Sequence, residues 1–218
     1  NFQKKLDNLN IALEIIEVNS FKIFFDKLIK KKDFSIYWNK VYEPDYLKFD
    51  EYLLRILEDK NIHFERFKGN VLNEVGEIKK GDGTPFRVFT PFWRAAEKFF
   101  IEKVPPKDKT IKKCKNKINY LKNCIKPEKI LPKKKWFKNF EKIWFPEEQY
   151  ALKELQNFIK EKIVNYSEGR NFPNIVGTSK LSPFIKFGHL HVETIWSECI
   201  KKKTKNHWNI KIPCRNWL

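Results

Sequence analysis

Apolar positions along the chain follow two spacings. Phe2, Leu6, Leu9, Ile11 and Ala12 recur at helical intervals over residues 2–13, and the next six residues, LEIIEV (Leu13–Val18), form the short continuous apolar run of a buried strand. The pairing then repeats. SFKIFFDKLIKK (Ser20–Lys31) is amphipathic with Ser20 placed to cap it, and FSIYW (Phe34–Trp38) reads as a second strand. DYLKFDEYLLRILEDK (Asp45–Lys60) is a strong helix and IHFERF (Ile62–Phe67) a third strand. Alternating helices and strands with short connections predict a parallel sheet with helices on its faces. Strand ends at Val18, Trp38 and Phe67 then share one edge, where open sheets of this kind hold ligands. That edge carries neither GxGxxG nor a P-loop, so these motifs provide no basis for NAD or ATP binding.

Beyond residue 80 the pattern changes. Gly81–Phe100 predicts a glycine turn, a short extended piece and a helix capped by Thr90 with Pro91 at its first position. Val104–Phe140 loses periodicity and fills with lysine and proline, the composition of a linker over a surface. A solvated lysine tract is the plain reading of that stretch, and a path along DNA is the alternative. Periodicity returns in Phe145–Tyr166, where Ala151, Leu155, Phe158, Ile159 and Ile163 share a face and Pro146 with two glutamates suits the N-terminal dipole. A last helix is predicted over His189–Lys202. The expected architecture is α/β then all-α: a partial Rossmann-like parallel sheet over 1–103, a lysine-rich linker over 104–144, and helices over 145–218.

With 218 residues, 26.4 kDa and 41% hydrophobic content, the chain can bury a substantial core. No apolar run is long enough to cross a bilayer and the opening NFQKKLDNLN lacks an export pattern, so a soluble cytoplasmic monomer is expected. The first residue is Asn and no element precedes the first helix, which reads as a chain that starts inside a domain. Cys114, Cys124, Cys199 and Cys214 form no CxxC pair, and the four histidines offer no ligand cluster, so free thiols and no metal are expected. The net charge of +18 attracts polyanions. Only 6 of the 45 basic residues are Arg, however, and AT-rich coding accounts for part of the lysine excess.

One stretch concentrates candidate chemistry: GTSKLSPFIKFG, Gly177 to Gly188. Ser182 is placed to cap a helix beginning at Pro183, and Gly188 to close it in a left-handed turn. Ahead of that helix, Gly177-Thr178-Ser179-Lys180 brings hydroxyls and a cation together; helix capping is the plain reading of that spacing, and a phosphate or pyrophosphate site is the alternative.

The run Tyr166-Ser-Glu-Gly-Arg170-Asn-Phe-Pro173, followed by Gly177-Thr-Ser-Lys-Leu-Ser-Pro183, resembles the DNA photolyase and cryptochrome family. Further motifs follow the family's order: Tyr42-Glu43-Pro44 ahead of an acidic helix with Asp50, G-x-P-F-x-V-F-T-P-F at Gly83–Phe92, F-P-x-E at Phe145–Glu148, and a glycine-led helix pattern at Gly188–Trp196. The resemblance covers nearly the whole chain. It implies an antenna-chromophore α/β domain joined to the beginning of a helical FAD domain. It further implies that Tyr166, Thr178, Ser179, Lys180, Leu181 and Ser182 contact the flavin phosphates and ribityl chain. The implied activity is that of a deoxyribodipyrimidine photolyase, which splits cyclobutane pyrimidine dimers in UV-damaged DNA with an electron from photoexcited reduced FAD. A cryptochrome-like photoreceptor is the alternative, and a nonphotochemical nucleic-acid-binding module a third. A second, antenna chromophore of folate or deazaflavin type is expected.

Several positions depart from the family pattern. Asn171 stands where Asp is usual, Glu193 where a basic residue is common, and Asp45-Tyr46 where folate-type members often carry Asn-Glu. The isoalloxazine pocket and the tryptophan electron-transfer chain find no counterpart in these residues, so the stretch alone is expected to be inactive. KIPCRNWL (Lys211–Leu218) fits no family pattern. Back-translated and read one nucleotide later it can give K-Y-L-A-E-I-G, which resembles the expected continuation, so a frameshift at or before Lys211 is anticipated.

Overall fold

The computed structural model describes residues 2–30, 34–101, 111–118, 121 and 124–206. They gather into two units. The first comprises Asn1–Gly69 and Lys109–Trp136, the second Asn70–Asp108 and Phe137–Leu218.

In the first unit, α1 (Phe2–Asn8), α2 (Phe21–Leu28), β1 (Ile36–Asn39), α3 (Pro44–Asp59) and β2 (Phe64–Phe67) follow one another. The strands pair in parallel, with Ile36 opposite Phe64 and Trp38 opposite Arg66. Among the described residues this is the expected sheet reduced to two strands. Ser20 caps α2 as predicted, its Oγ accepting the Ile23 N–H at 3.4 Å. Pro44 opens α3 at a position where no N–H is needed.

Two expectations fail near the N-terminus. Helix α1 ends at Asn8 rather than at residue 13, because Asn10 adopts a left-handed φ of 58°. The Ile11 N–H then donates to the Leu6 carbonyl and the Asn10 N–H to that of Asp7, a Schellman stop. Leu13–Val18 forms no strand: instead of joining the sheet it takes single bonds, from the Leu121 N–H to Glu14 Oε1 (2.9 Å) and from the Ile125 N–H to the Ile15 carbonyl (2.7 Å), in place of a ladder. The same Schellman stop closes α3, where Asn61 has φ 52° and the Ile62 N–H reaches the Leu57 carbonyl at 3.0 Å.

Ile29, Leu53, Leu57 and Ile62 form the buried centre of this unit, with Phe25, Phe49, Trp38 and Phe64 packed around them. One charge sits among them. Asp50, on α3, is 2% exposed and accepts from Trp38 Nε1 (2.5 Å) and from Arg66 NH1 (2.6 Å). Trp38 and Arg66 are cross-strand partners, so one carboxylate ties the helix to both strands at the same rung.

The second unit is helical among its described residues: α4 (Phe89–Ile101), a 3₁₀ turn at Trp136–Lys142 that begins in the first unit, α5 (Glu148–Asn157), α6 (Tyr166–Gly169), α7 (Ser182–Lys186) and α8 (Val192–Asn206). Helix α4 begins at Phe89, ahead of the expected Thr90 cap. Pro91 therefore falls inside the first turn, where its missing N–H belongs to the group that lacks intrahelical partners anyway. The extended piece expected before it forms no strand. The helix predicted over 145–166 starts only at Glu148 and changes winding on the way. Phe158–Lys162 is a π turn, in which the Ile163 N–H reaches back to the Phe158 carbonyl, and Ile163–Asn165 is 3₁₀. The predicted face is inward: Ala151, Leu155, Phe158 and Ile163 are buried and Ile159 packs on them.

Cys214 and the segment Lys211–Leu218 lie outside the described residues, as does residue 104 at the start of the expected linker. No helix among the described residues is long and apolar enough to cross a membrane, and no group of three or more metal-ligating side chains occurs among them.

Removing the carboxylate in Asp50→Ala leaves the indole N–H of half-buried Trp38 and the guanidinium of Arg66, a residue that reaches solvent, without their shared acceptor, and should cost about 2 kcal/mol in urea unfolding. Asp50→Asn keeps an acceptor and should cost less.

Candidate functional site

The candidate site is built on the winding from α5 to α6 and on the loop that returns to α7. The π turn aligns Phe158 and Tyr166 so that their rings meet edge to face at 5.4 Å. Tyr166 is 8% exposed, with the Arg170 guanidinium 5.9 Å from its ring centroid.

After Arg170 the chain turns at Asn171–Ile175 and comes back against its own start. Gly177 lies on Gly169: a Cβ built on Gly177 would stand 2.6 Å from the Gly169 carbonyl carbon and 2.8 Å from its oxygen. Neither glycine has a positive φ, so the constraint here is space rather than backbone conformation. This contact clasps the Tyr166–Arg170 segment to Thr178–Ser182.

Past the clasp the six candidate residues divide. Leu181 is fully buried in the same apolar cluster as Tyr166, Phe158 and Phe184. Ser179 is 9% exposed and its Oγ accepts the Leu181 N–H at 3.4 Å. Thr178, Lys180 and Ser182 are exposed. Lys180 takes a left-handed φ of 55°, a conformation unfavourable for a residue with a Cβ and found where surrounding packing enforces it.

That turn changes the expected cap. Leu181, with φ −86° and ψ −12°, is the junction residue of α7; Ser182 is already helical and makes no side-chain capping bond. The Ser179 hydroxyl does the local work instead, because the left-handed Lys180 brings the Leu181 N–H back over it. Pro183 sits in the first turn as foreseen. Gly188, at φ 72°, closes α7 as predicted, with the His189 N–H on the Phe184 carbonyl at 2.8 Å.

His189 and His191, just ahead of α8, are both half-buried. The His189 ring stands edge-on to Phe184 at 6.2 Å. His191 caps α8: its Nδ1 accepts the Glu193 N–H at 3.3 Å, a part more often taken by Ser or Asp. Sequence reasoning overlooked this cap and the partner of Gly177. The glycine at position 169 was the available signal, within the motif already singled out.

The outward-facing groups of Gly177–Pro183 are two hydroxyls and an ammonium, and the segment contains no carboxylate. Such a donor set suits a phosphorylated ligand.

A parallel two-stranded α/β unit and helices bearing a clasped GTSKLSP turn define a photolyase-type protein. The DNA photolyase family model matches residues 1–109, and the chain belongs to the DNA photolyase family. A deoxyribodipyrimidine photo-lyase of Agrobacterium fabrum is 36% identical over 166 residues, which cover 74% of this chain and 34% of that protein. Cryptochrome-2 of Arabidopsis thaliana is 28% identical over 183 residues, covering 78% of this chain and 28% of that one. Among solved structures, a bacterial class III photolyase from Agrobacterium tumefaciens superposes with a TM-score of 0.76 at 28% identity over 94% of this chain and 42% of that chain. A Synechocystis cryptochrome, at 18% identity and a TM-score of 0.72 over 96% of this chain and 44% of its own, shares the fold. The chain spans about a third of the length of the curated photolyases it matches.

Beneath the site, burial and then the Glu198 carboxylate push the Cys199 thiol from its ordinary 9.0 up to about 12. Cys199 should therefore resist alkylation by iodoacetamide until the chain unfolds, while exposed Cys114 and Cys124 react at once. An unfolded thiol ionises above pH 9.0 and the folded one only near 12, so this stabilisation is complete below pH 9.0 and fades as pH rises. The fall is up to about 1.4 kcal/mol per pH unit, readable by denaturation across that range.

Proposed function

We propose that this chain is part of a deoxyribodipyrimidine photolyase, a light-driven repair enzyme for cyclobutane pyrimidine dimers in DNA. The observation that carries the reading is the clasped turn at Gly177–Ser182, with its exposed hydroxyls and lysine, in a chain 36% identical to a curated photo-lyase. When bound, reduced FAD supplies an electron on blue-light excitation, and the dimer that receives it opens its cyclobutane ring and gives the electron back.

In this reading Thr178 and Ser182 donate hydroxyl hydrogen bonds to the flavin's phosphates and Lys180 neutralises their charge. Ser179 and Leu181 face inward and hold the turn in shape, while Tyr166 serves as the wall against which the loop packs. The excess of 18 positive charges draws the phosphate backbone of damaged DNA toward the protein and makes binding fall steeply with salt. The dimer must leave the helix to be reached, and its weakened stacking lowers that cost. A second chromophore of folate or deazaflavin type, gathering light for the flavin, belongs to the same proposal. So does the inference that this stretch is inactive by itself, since one phosphate-holding turn does not enclose an isoalloxazine ring.

The similarity to Cryptochrome-2 supports a photoreceptor as the second reading. The two separate in one assay: a full-length protein carrying this sequence, loaded with FAD, is given a thymine-dimer oligonucleotide under blue light. Splitting of the dimer is expected. Flavin that is bound and photoreduced without any splitting would favour the photoreceptor, and failure to bind flavin would leave only a basic nucleic-acid-binding module.

A further inference from the structure

The described residues 111–118, 121 and 124–136 carry nine lysines against one glutamate, and every one of those lysines is exposed. They do not hang free. The Cys114 N–H donates to the Leu9 carbonyl at 2.8 Å, and Asn10 Nδ2 returns a bond to the Cys114 carbonyl at 2.8 Å. Further along, the Leu121 N–H donates to Glu14 Oε1 at 2.9 Å and the Ile125 N–H to the Ile15 carbonyl at 2.7 Å. Lys117 pairs with Asp7 at 2.5 Å. These described residues are therefore a strap fastened to residues 7–15 at Cys114, Lys117, Leu121 and Ile125, and Lys112, Lys113, Lys115 and Lys126 flank those anchored positions.

We propose that this strap is a contact surface for the phosphate backbone of undamaged nucleic acid, separate from the flavin-bearing turn. Charge complementarity carries the argument. The nine exposed lysines are spread over positions 112–135 of the chain, more cation than a single small anion needs and suited to the repeated phosphates of a polyanion. Anchoring reduces the ordering cost that a free lysine tail would pay on binding. A membrane surface fits less well, because the only regular turn among the described residues of 111–135 is the short 3₁₀ piece Pro127–Ile130, which cannot present the apolar helix face of an interfacial anchor. The proposal does not depend on repair activity.

The test is binding of an undamaged fluorescent duplex to the chain in the dark, without flavin, across a salt series. Lys112→Gln, Lys113→Gln, Lys115→Gln and Lys126→Gln are combined in one variant. A control combines Lys48→Gln, Lys60→Gln, Lys153→Gln and Lys160→Gln, which are equally exposed and lie outside the strap. The strap variant should lower the slope of log affinity against log salt by about 3.6, near 0.9 for each phosphate that a lysine no longer neutralises, with an unchanged melting midpoint. The control should lower it by less than about 1. Equal reductions in the two variants would show diffuse charge and overturn the proposal. So would an unchanged slope, an undetectable wild-type affinity at low salt, or a strap variant that no longer binds phosphatidylserine vesicles yet still binds DNA.

Discussion

Two glycine backbones in van der Waals contact set the geometry of the candidate site. Gly177 rests on Gly169 with no room for a methyl group between them, and this closeness brings the loop after α6 down onto the α5–α6 winding. Everything chemical in the motif follows from it. With the loop held there, Leu181 enters the core beside Tyr166, Ser179 turns inward to satisfy the Leu181 N–H, and Lys180 is driven into a left-handed conformation. Thr178, Lys180 and Ser182 are then left facing water, available to a ligand. The rigid part of the motif is thus apolar and backbone-made, and its polar part is displayed upon it.

The α/β unit meets a different problem with a different device. Two parallel strands make a minimal sheet, with few ladder bonds to hold register. Asp50 answers by reaching from α3 to both members of one rung, Trp38 and Arg66. A buried carboxylate is costly to desolvate, and is tolerated here because both of its oxygens are bonded. Its benefit is positional: it fits only if strand register and helix placement agree. The Asn10 and Asn61 stops add to this precision, each standing two residues past the end of its helix.

Much of this was legible in the sequence where the determinants are local. The Ser20 cap, the inward face of Ala151, Leu155 and Phe158, and the Gly188 closure each follow from a few adjacent residues. The misreadings share the opposite character. Leu13–Val18 has the composition of a buried strand, but its bonding partners are Leu121 and Ile125, over a hundred positions away, and they offer scattered bonds instead of a ladder. The choice between Ser179 and Ser182 as the hydroxyl that serves the turn depends on the backbone at Lys180, which packing determines rather than propensity. Gly169 was visible as a residue and invisible as a partner. The family resemblance, by contrast, rests on ordered motifs, and ordered motifs survive such local errors.

The clasp can be probed by comparing FAD retention, measured by equilibrium dialysis, between the full-length wild-type protein and its Gly177→Ala variant. A methyl group at that position has to displace the Gly169 backbone, so the turn bearing Thr178, Lys180 and Ser182 must shift from its seat. The account predicts flavin binding weakened roughly tenfold or more, about 1.4 kcal/mol, with helical content preserved. Undiminished affinity in a folded variant would contradict it.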